Sequence, residues 1–194
     1  MNFLAHIYLS GKNEDIILGN FIADSVKGKK YLSYPSEVQK GIILHRAIDF
    51  YTDTHPIVKQ SASKLYKNYS HYSGVIVDIY YDHFLASNWK EYSEVPLEVF
   101  VADFYRLLKS KFELLPAPIQ RFLPYMVSEN WLLSYASIEG IGRILYQMNK
   151  RTKNIVQMDR AVNELQEYYV ELEKEFKVFF PELIEFSEEK LKSM

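Results

Sequence analysis

Cysteine is absent from this sequence of 194 residues, and glycine and proline are scarce, at seven each. The lack of thiols excludes disulfides and thiolate metal sites. Any bound metal must then be held by His, Asp or Glu, which favours Mg²⁺, Mn²⁺ or Fe²⁺ over a structural zinc. No apolar run approaches the roughly 20 residues of a membrane helix, and the first ten residues lack the basic region of a signal peptide. We therefore expect a cytoplasmic protein without a membrane partner.

A strong positive charge is also lacking. The net charge is −2, with 23 Lys and Arg against 25 Asp and Glu, which argues against nucleic-acid binding. The acidic excess is concentrated in residues 164–194, where 9 acidic residues stand against 4 basic ones. The length fits one domain. We expect a single helical domain over 1–194, with the metal and catalytic cluster in 1–90 and an acidic C-terminal helical region from about 156.

Apolar residues recur at helical spacing along most of the chain, and no stretch alternates in the manner of a strand for more than a few residues. This pattern predicts an all-α fold, a single-domain helical bundle. Proline and N-cap residues mark where the helices begin. The predicted helices run over 13–27, 35–52, from 56, 73–88, 96–112 and 137–148.

Two later stretches carry prolines that are expected to interrupt helices. Pro116, Pro118 and Pro124 predict an irregular segment or a set of short helices. From Val156 to Phe179 apolar residues again recur at helical spacing. Pro181 is expected to kink or end this last run.

The residues that could carry chemistry are concentrated in the first half of the chain. All five histidines fall within the first 83 residues. Three polar pairs are four residues apart, a spacing that places both side chains on one face of a helix. These pairs are His45 with Asp49, Asp78 with Asp82, and Asn20 with Asp24.

Several of these groups interrupt apolar helices. Asp78, Asp82 and His83 lie in a stretch, 74–85, that is otherwise apolar. A buried carboxylate is costly unless it is paired or bound to a metal, and helical bundles build metal sites from inward-pointing groups of this kind. The alternative is that each group has an ordinary structural partner, for example a hydrogen bond between Asp82 and His83.

Groups of residues along the chain match the pattern of one family. The densest matches are Met1-Asn2-Phe3-Leu4-Ala5-His6, Gly19-Asn20 with Ala23-Asp24, His45-Arg46 with Ile48-Asp49 and Thr52-Asp53, and Asp78 with Asp82-His83-Phe84-Leu85. On these residues the sequence resembles the acyl carrier protein phosphodiesterases. The likeness spans most of the chain and is densest in the first ninety residues.

The resemblance implies hydrolysis of the phosphodiester that joins 4′-phosphopantetheine to a serine of holo-acyl carrier protein. It also implies a fold distantly similar to the HD-domain phosphohydrolases, which are helical and use a divalent metal such as Mn²⁺. The chain departs from the HD pattern, since Arg46 and not Asp follows His45. An HD-like hydrolase of a nucleotide or small phosphoester is the alternative enzyme, and a non-catalytic helical binding module is the alternative without chemistry.

This reaction assigns a role to each candidate residue, because a divalent metal neutralises a phosphodiester and acidifies a water molecule. The predicted metal ligands are His6, Asp24, His45, Asp82 and His83. The predicted catalytic residues are Asp24, His45, Arg46, Asp49 and Asp78. Asp49 and Asp78 would orient ligands or act as general base, and Arg46 would pair with phosphate oxygens. Carrier proteins are typically acidic, so the basic turn with Lys27, Lys29 and Lys30 is the predicted docking patch for holo-acyl carrier protein.

Overall fold

The computed structural model describes residues 1–152 and 155–194. Within these ranges the chain is helical almost throughout and forms no strand. The α-helices are α1 (Phe3–Tyr8), α2 (Glu14–Ile22), α3 (Ser36–Thr54), α4 (Pro56–Tyr69), α5 (Ser73–Ser87), α6 (Leu97–Ser110), α7 (Ala117–Ser128), α8 (Trp131–Ser134), α9 (Ile138–Arg151), α10 (Ala161–Glu167) and α11 (Tyr169–Lys192). They pack into a single domain, so the all-α prediction is confirmed. None of these helices has the length and apolar character needed to cross a membrane.

Helices α2 and α3 approach each other closely at two glycines. A Cβ atom on Gly19 would lie 2.1 Å from the carbonyl oxygen of Val38, and one on Gly41 would lie 2.1 Å from the carbonyl oxygen of Ile16. Any side chain at either position would therefore force the two backbones apart. The close contact also brings the next turns of both helices together, and these turns carry part of the functional site.

Helix α5 lies in the core of the domain. Every side chain over 79–86 is buried, so this part of the helix is enclosed on all sides. Helix α11 packs against it through Phe176 and Phe179, whose ring centroids lie 5.4 and 5.6 Å from that of Tyr81. Helix α5 is thus a rigid support to which the surrounding helices are attached.

The first predicted helix is shorter than expected. Helix α2 ends at Ile22 rather than at Lys27. The carbonyl groups of Val26 and Gly28 accept hydrogen bonds from Arg46 of α3, so they are satisfied without a helix. Gly28 also has a φ of 57°, in the region that favours glycine.

The prolines of α7 do not divide that stretch. One helix spans Ala117–Ser128, and Pro118 lies in its first turn, where no intrahelical N–H bond is lost. Pro124 is inside the helix but exposed, and it removes a single hydrogen bond. Burial of Leu123 and Met126 on the opposite side holds the helix to the core. Pro118 and Pro124 therefore leave α7 continuous, and the stretch that was expected to be irregular or a set of short helices consists of α7 and the short α8.

The C-terminal run also differs from the prediction. The predicted helix is interrupted at Tyr168, which separates α10 from α11, and Val156 precedes both helices. Pro181 does not end α11, which continues to Lys192. Phe180 and Leu183, on either side of the proline, are fully buried, and their packing stabilises the helix across it.

Candidate metal centre and its cleft

Three side chains from α1 and α3 converge at the centre of the site. The carboxylate of Asp49 lies between two imidazoles: its Oδ1 is 3.1 Å from Nε2 of His6, and its Oδ2 is 3.0 Å from Nε2 of His45. The two rings are stacked, with centroids 3.9 Å apart. Among the described residues, these three form the one group of His, Asp or Glu side chains whose ligand atoms are close enough to share a metal ion.

The orientation of His45 is fixed by Asn20. The amide oxygen of this fully buried side chain lies 3.1 Å from Nδ1 of His45, which therefore carries the proton it donates. The amide nitrogen of Asn20 donates to the carbonyl of His6 and to the hydroxyl of Ser10, so the amide cannot be reversed without losing both bonds. Nε2 of His45 consequently faces the carboxylates. Asp24 approaches this same nitrogen at 3.2 Å from a largely exposed position.

Burial and neighbouring charges shift the pKa values of the cluster in different directions. Burial, together with the charge on His45, lowers the pKa of His6 to about 4, so His6 is neutral at neutral pH. Burial disfavours charge on His45 as well, but hydrogen bonds to Asp24 and Asp49 outweigh it and raise the pKa to about 9. The burial of Asp49 is outweighed by both histidines, which hold the pKa of its carboxyl far below the usual range.

These donors suit a divalent transition metal. Two imidazole nitrogens and one carboxylate leave coordination positions open, as catalytic metal sites require. Nδ1 of His6 is buried and lacks a hydrogen-bond partner among the described residues, which is costly, and Nε2 has only the carboxylate of Asp49 beside it. The residues therefore fit a metal ion, and Asp24, 3.2 Å from Nε2 of His45, offers a further oxygen donor.

Two members of the cluster, His45 and Asp49, line a cleft of about 1000 Å³, and His6 is buried behind them. Five carboxylates line this cleft, those of Asp24, Asp49, Asp53, Asp78 and Glu129. The remaining wall is mostly apolar or uncharged and comes from α8, from α9 and from the start of α5. It includes Gly74, Val75, Trp131, Ser134, Arg143, Ile144, Tyr146, Gln147 and Met148.

Comparison with known proteins places this chain in a family. The model of the family described as "Acyl carrier protein phosphodiesterase" matches residues 1–183. The chain belongs to the acyl carrier protein phosphodiesterase family. The resemblance noted in the sequence is therefore confirmed over nearly the whole chain.

Curated relatives share about a third of their residues with this phosphodiesterase family member. The acyl carrier protein phosphodiesterase of Yersinia enterocolitica is 31% identical over 191 residues, covering 98% of this chain and 99% of the relative. Those of Yersinia pestis and Enterobacter sp. (strain 638) are 32% and 33% identical and cover 99% and 96% of their own lengths. No solved structure matches the chain, so the expected likeness to HD-domain hydrolases stays a prediction.

Asp82, a predicted ligand, lies outside the cluster of this phosphodiesterase. Its fully buried carboxylate accepts backbone N–H bonds from Asn2 at 3.1 Å and from Leu4 at 2.7 Å, and a longer one from Ala5. Burial raises its pKa to about 7, while the ammonium of Met1 and the three amides act in the opposite direction. Asp82 thus satisfies the free N–H groups at the start of α1, the helix that carries His6.

His83, the other predicted ligand on α5, also has a structural position. Its Nδ1 lies 2.7 Å from the carbonyl oxygen of Tyr135, and its Nε2 lies 3.2 Å from the hydroxyl of Tyr169. These bonds join α5 to the segment before α9 and to α11. Burial lowers the pKa of His83, in keeping with a neutral imidazole in the core.

The remaining predicted site residues are Asp78, Arg46 and the three lysines of the basic turn, and of these only Asp78 lines the cleft. Asp78 lines the cleft, and its carboxylate lies 2.9 Å from the amine of Met1. The guanidinium of Arg46 donates to the carbonyls of Val26 and Gly28 at 3.0 and 2.9 Å, so this contact is with the backbone of the basic turn. The lysines of that turn are exposed on the surface. They are Lys27, Lys29 and Lys30.

Two parts of the site were missed from the sequence. The spacing of Asn20 and Asp24 was a usable signal, but it did not reveal that Asn20 orients His45. The wall formed by Trp131, Ile144 and Met148 has no local motif, because these apolar residues look like ordinary core positions until the fold places them beside the cluster.

Proposed function

We propose that this protein hydrolyses the phosphodiester between 4′-phosphopantetheine and a serine of holo-acyl carrier protein, with a divalent metal held by His6, His45 and Asp49. The products are apo-carrier protein and free 4′-phosphopantetheine. The observation that supports this most strongly is the carboxylate of Asp49 between two imidazoles in an open cleft. The names of the curated relatives, all acyl carrier protein phosphodiesterases, supply the substrate.

The excess of negative charge in the cleft supports the proposal that a metal cation is required. Five carboxylates line it, whereas the cationic groups besides histidine are the guanidinium of Arg143 and the amine of Met1. An anionic phosphodiester would be repelled from such a surface. A divalent cation at the cluster supplies positive charge for the phosphate and lowers the pKa of a water molecule toward neutrality.

The side chains of the cluster have separate tasks in this proposal. Asp49 holds both imidazoles in position, and Asn20 keeps Nε2 of His45 directed inward. Asp24, at the exposed mouth of the cluster, adds an oxygen donor beside His45. Asp78 lines the same cleft and is our choice for the general base.

Mn²⁺ is the cation that we propose, with Fe²⁺ and Mg²⁺ as the other possibilities. Imidazole nitrogen suits Fe and the later transition metals, whereas carboxylate and water suit Mn²⁺ and Mg²⁺. A cluster of two imidazoles with one or two carboxylates lies between these preferences. It is least suited to Mg²⁺, which favours oxygen ligands throughout.

The basic turn is the proposed docking patch for the carrier protein. Lys27, Lys29 and Lys30 follow closely after Asp24, so an acidic protein bound to them would lie next to the cluster. Arg46 positions this turn, because it bonds two of its carbonyls and lies over the ring of Tyr31, 5.1 Å from the centroid. We propose that the reaction takes place in the cytoplasm.

The test is the mass of the carrier protein. Incubation of the protein with holo-acyl carrier protein and Mn²⁺ should remove the phosphopantetheine arm, as seen by intact-protein mass spectrometry. Hydrolysis of small phosphoesters or nucleotides with the carrier protein left intact would favour the alternative enzyme. Absence of both bound metal and any hydrolysis would favour a non-catalytic binding module.

A further inference from the structure

One wall of the cleft has no role in the proposed hydrolysis. Trp131 and Ser134 of α8, and Ile144, Gln147 and Met148 of α9, line the same cavity as the metal cluster. Glu129 and Arg143 of the same cavity are charged, but these five side chains are apolar or uncharged, in contrast to the acidic cluster. They are therefore suited to a neutral ligand and not to the phosphate.

We propose that this wall binds the pantetheine part of the substrate, the chain that extends from the phosphate to the terminal thiol. The inference rests on the proposed function and extends it by a second subsite. A pantetheine chain is flexible and uncharged, with a branched dimethyl group, a hydroxyl and two amides. Apolar contacts with Trp131, Ile144 and Met148 match its hydrocarbon parts, and Ser134 and Gln147 can hydrogen-bond to its amides.

The size of the cleft agrees with such a ligand. Its volume of about 1000 Å³ is at the upper end of the range of roughly 300–1000 Å³ found for small-molecule sites. A phosphodiester alone would occupy a small fraction of this space. The α8–α9 wall lines the same cavity as the cluster, so it is available to a chain attached to the phosphate.

Gly74 gives direct experimental access to this space. It lies in the first turn of α5 and lines the cleft, and a Cβ atom built on it would meet no atom within 4 Å. By contrast, a Cβ atom on Gly140 would lie 1.8 Å from the carbonyl oxygen of Ser134. A larger side chain at position 74 should therefore enter the cleft without disturbing the backbone.

The experiment measures binding of pantetheine, which lacks the phosphate, to the metal-free protein. The chain has two tryptophans, and Trp131 lines the cleft whereas Trp89 is buried elsewhere. Pantetheine should change the Trp131 fluorescence of the wild type. Gly74→Leu should weaken this binding by about tenfold, since blocking a pocket by a few methylene groups has effects of this order. Gln147→Phe, which fills the cleft from α9, should act in the same direction.

Ser63→Leu is the matched control, because Ser63 is exposed on α4 and does not line the cleft. This variant should bind pantetheine as the wild type does. Loss of pantetheine binding in Gly74→Leu and Gln147→Phe, with helical circular dichroism retained, supports the subsite. No fluorescence change in the wild type, or equal binding in wild type and both filled variants, overturns it.

A parallel measurement separates this inference from the proposed function. Wild-type protein with Mn²⁺ is incubated with holo-acyl carrier protein, and the mass of the carrier protein is followed. Unchanged mass contradicts the proposed function whatever the pantetheine titration shows. Removal of the arm together with failure of the pantetheine titration contradicts the subsite alone.

Discussion

Oδ1 of Asp49 lies 3.1 Å from Nε2 of His6, although the two residues belong to α3 and α1 and are far apart in sequence. The other oxygen of the same carboxylate contacts His45, one helical turn earlier. One carboxylate therefore connects a local helical pair with a residue from the first helix. The proposed metal centre depends on this connection.

Asn20→Ala should weaken Mn²⁺ binding. The substitution removes the acceptor of Nδ1 of His45, so the ring is no longer held with Nε2 toward the carboxylates. Loss of such a supporting bond typically lowers metal affinity by about 10–100-fold. Isothermal titration with Mn²⁺ measures the effect. Asn13→Ala, which removes an exposed cap of α2, is the control and should bind Mn²⁺ normally; equal affinities in both variants would refute the role of Asn20.

Asp82→Ala should destabilise the fold by about 3 kcal/mol, because it leaves buried N–H groups at the start of α1 without an acceptor. Chemical denaturation of the metal-free protein gives this value directly. Asp103→Ala removes an exposed ion pair with Arg106 and should cost less than about 1 kcal/mol. If Asp82→Ala were as stable as Asp103→Ala, other contacts than those of Asp82 would hold α1 in place.

His83 should make the stability depend on pH. Burial lowers the pKa of His83 in the folded state. The carbonyl of Tyr135 and the charge of Glu173 act in the opposite direction but do not outweigh it. Below the ordinary value of about 6.5 the unfolded chain binds the proton more readily, so stability is fully present above that pH and is lost as the pH falls. Denaturation of wild type and His83→Gln at pH 5 and pH 7.5 tests this. The wild type should lose more stability on acidification than the variant, and equal losses would contradict the assignment.

Replacing Lys27, Lys29 and Lys30 by glutamine should raise KM for an acidic carrier protein and reduce its dependence on salt. Exposed charges act mainly on the encounter of two proteins, and salt screens them. Hydrolysis of a small phosphodiester should hardly change, since it uses the cluster alone. The control replaces three exposed lysines elsewhere, Lys59, Lys90 and Lys109. Equal effects of the two triple variants would leave no docking role for the turn.

The fold and the pair of His45 and Asp49 within the three-residue cluster could be predicted because both depend on local spacing. Helical periodicity is visible in any short window, and His45 and Asp49 are one turn apart on α3. The role of Asp82 could not be predicted from local spacing. A buried carboxylate needs a partner, but its sequence surroundings are the same whether that partner is a metal or the N–H groups of another helix.

The residues of the cleft wall could not be predicted from the sequence for a related reason. Trp131, Ile144 and Met148 become parts of a site only because α9 packs against α5 and α8 packs against α9. The prolines in α7 predicted an interruption of the helix that the structure does not have. Their local preference favoured irregular structure, but burial of one face of the helix outweighed it.

The most direct test compares Mn²⁺ affinity and removal of the phosphopantetheine arm in Asp49→Asn and His83→Gln. Both residues belong to the polar set picked out from the sequence, but only Asp49 contacts the two histidines of the cluster. We predict that Asp49→Asn loses Mn²⁺ binding and arm removal by at least about 100-fold, whereas His83→Gln retains both near neutral pH. Wild-type Mn²⁺ affinity and turnover in Asp49→Asn would contradict the metal centre described here.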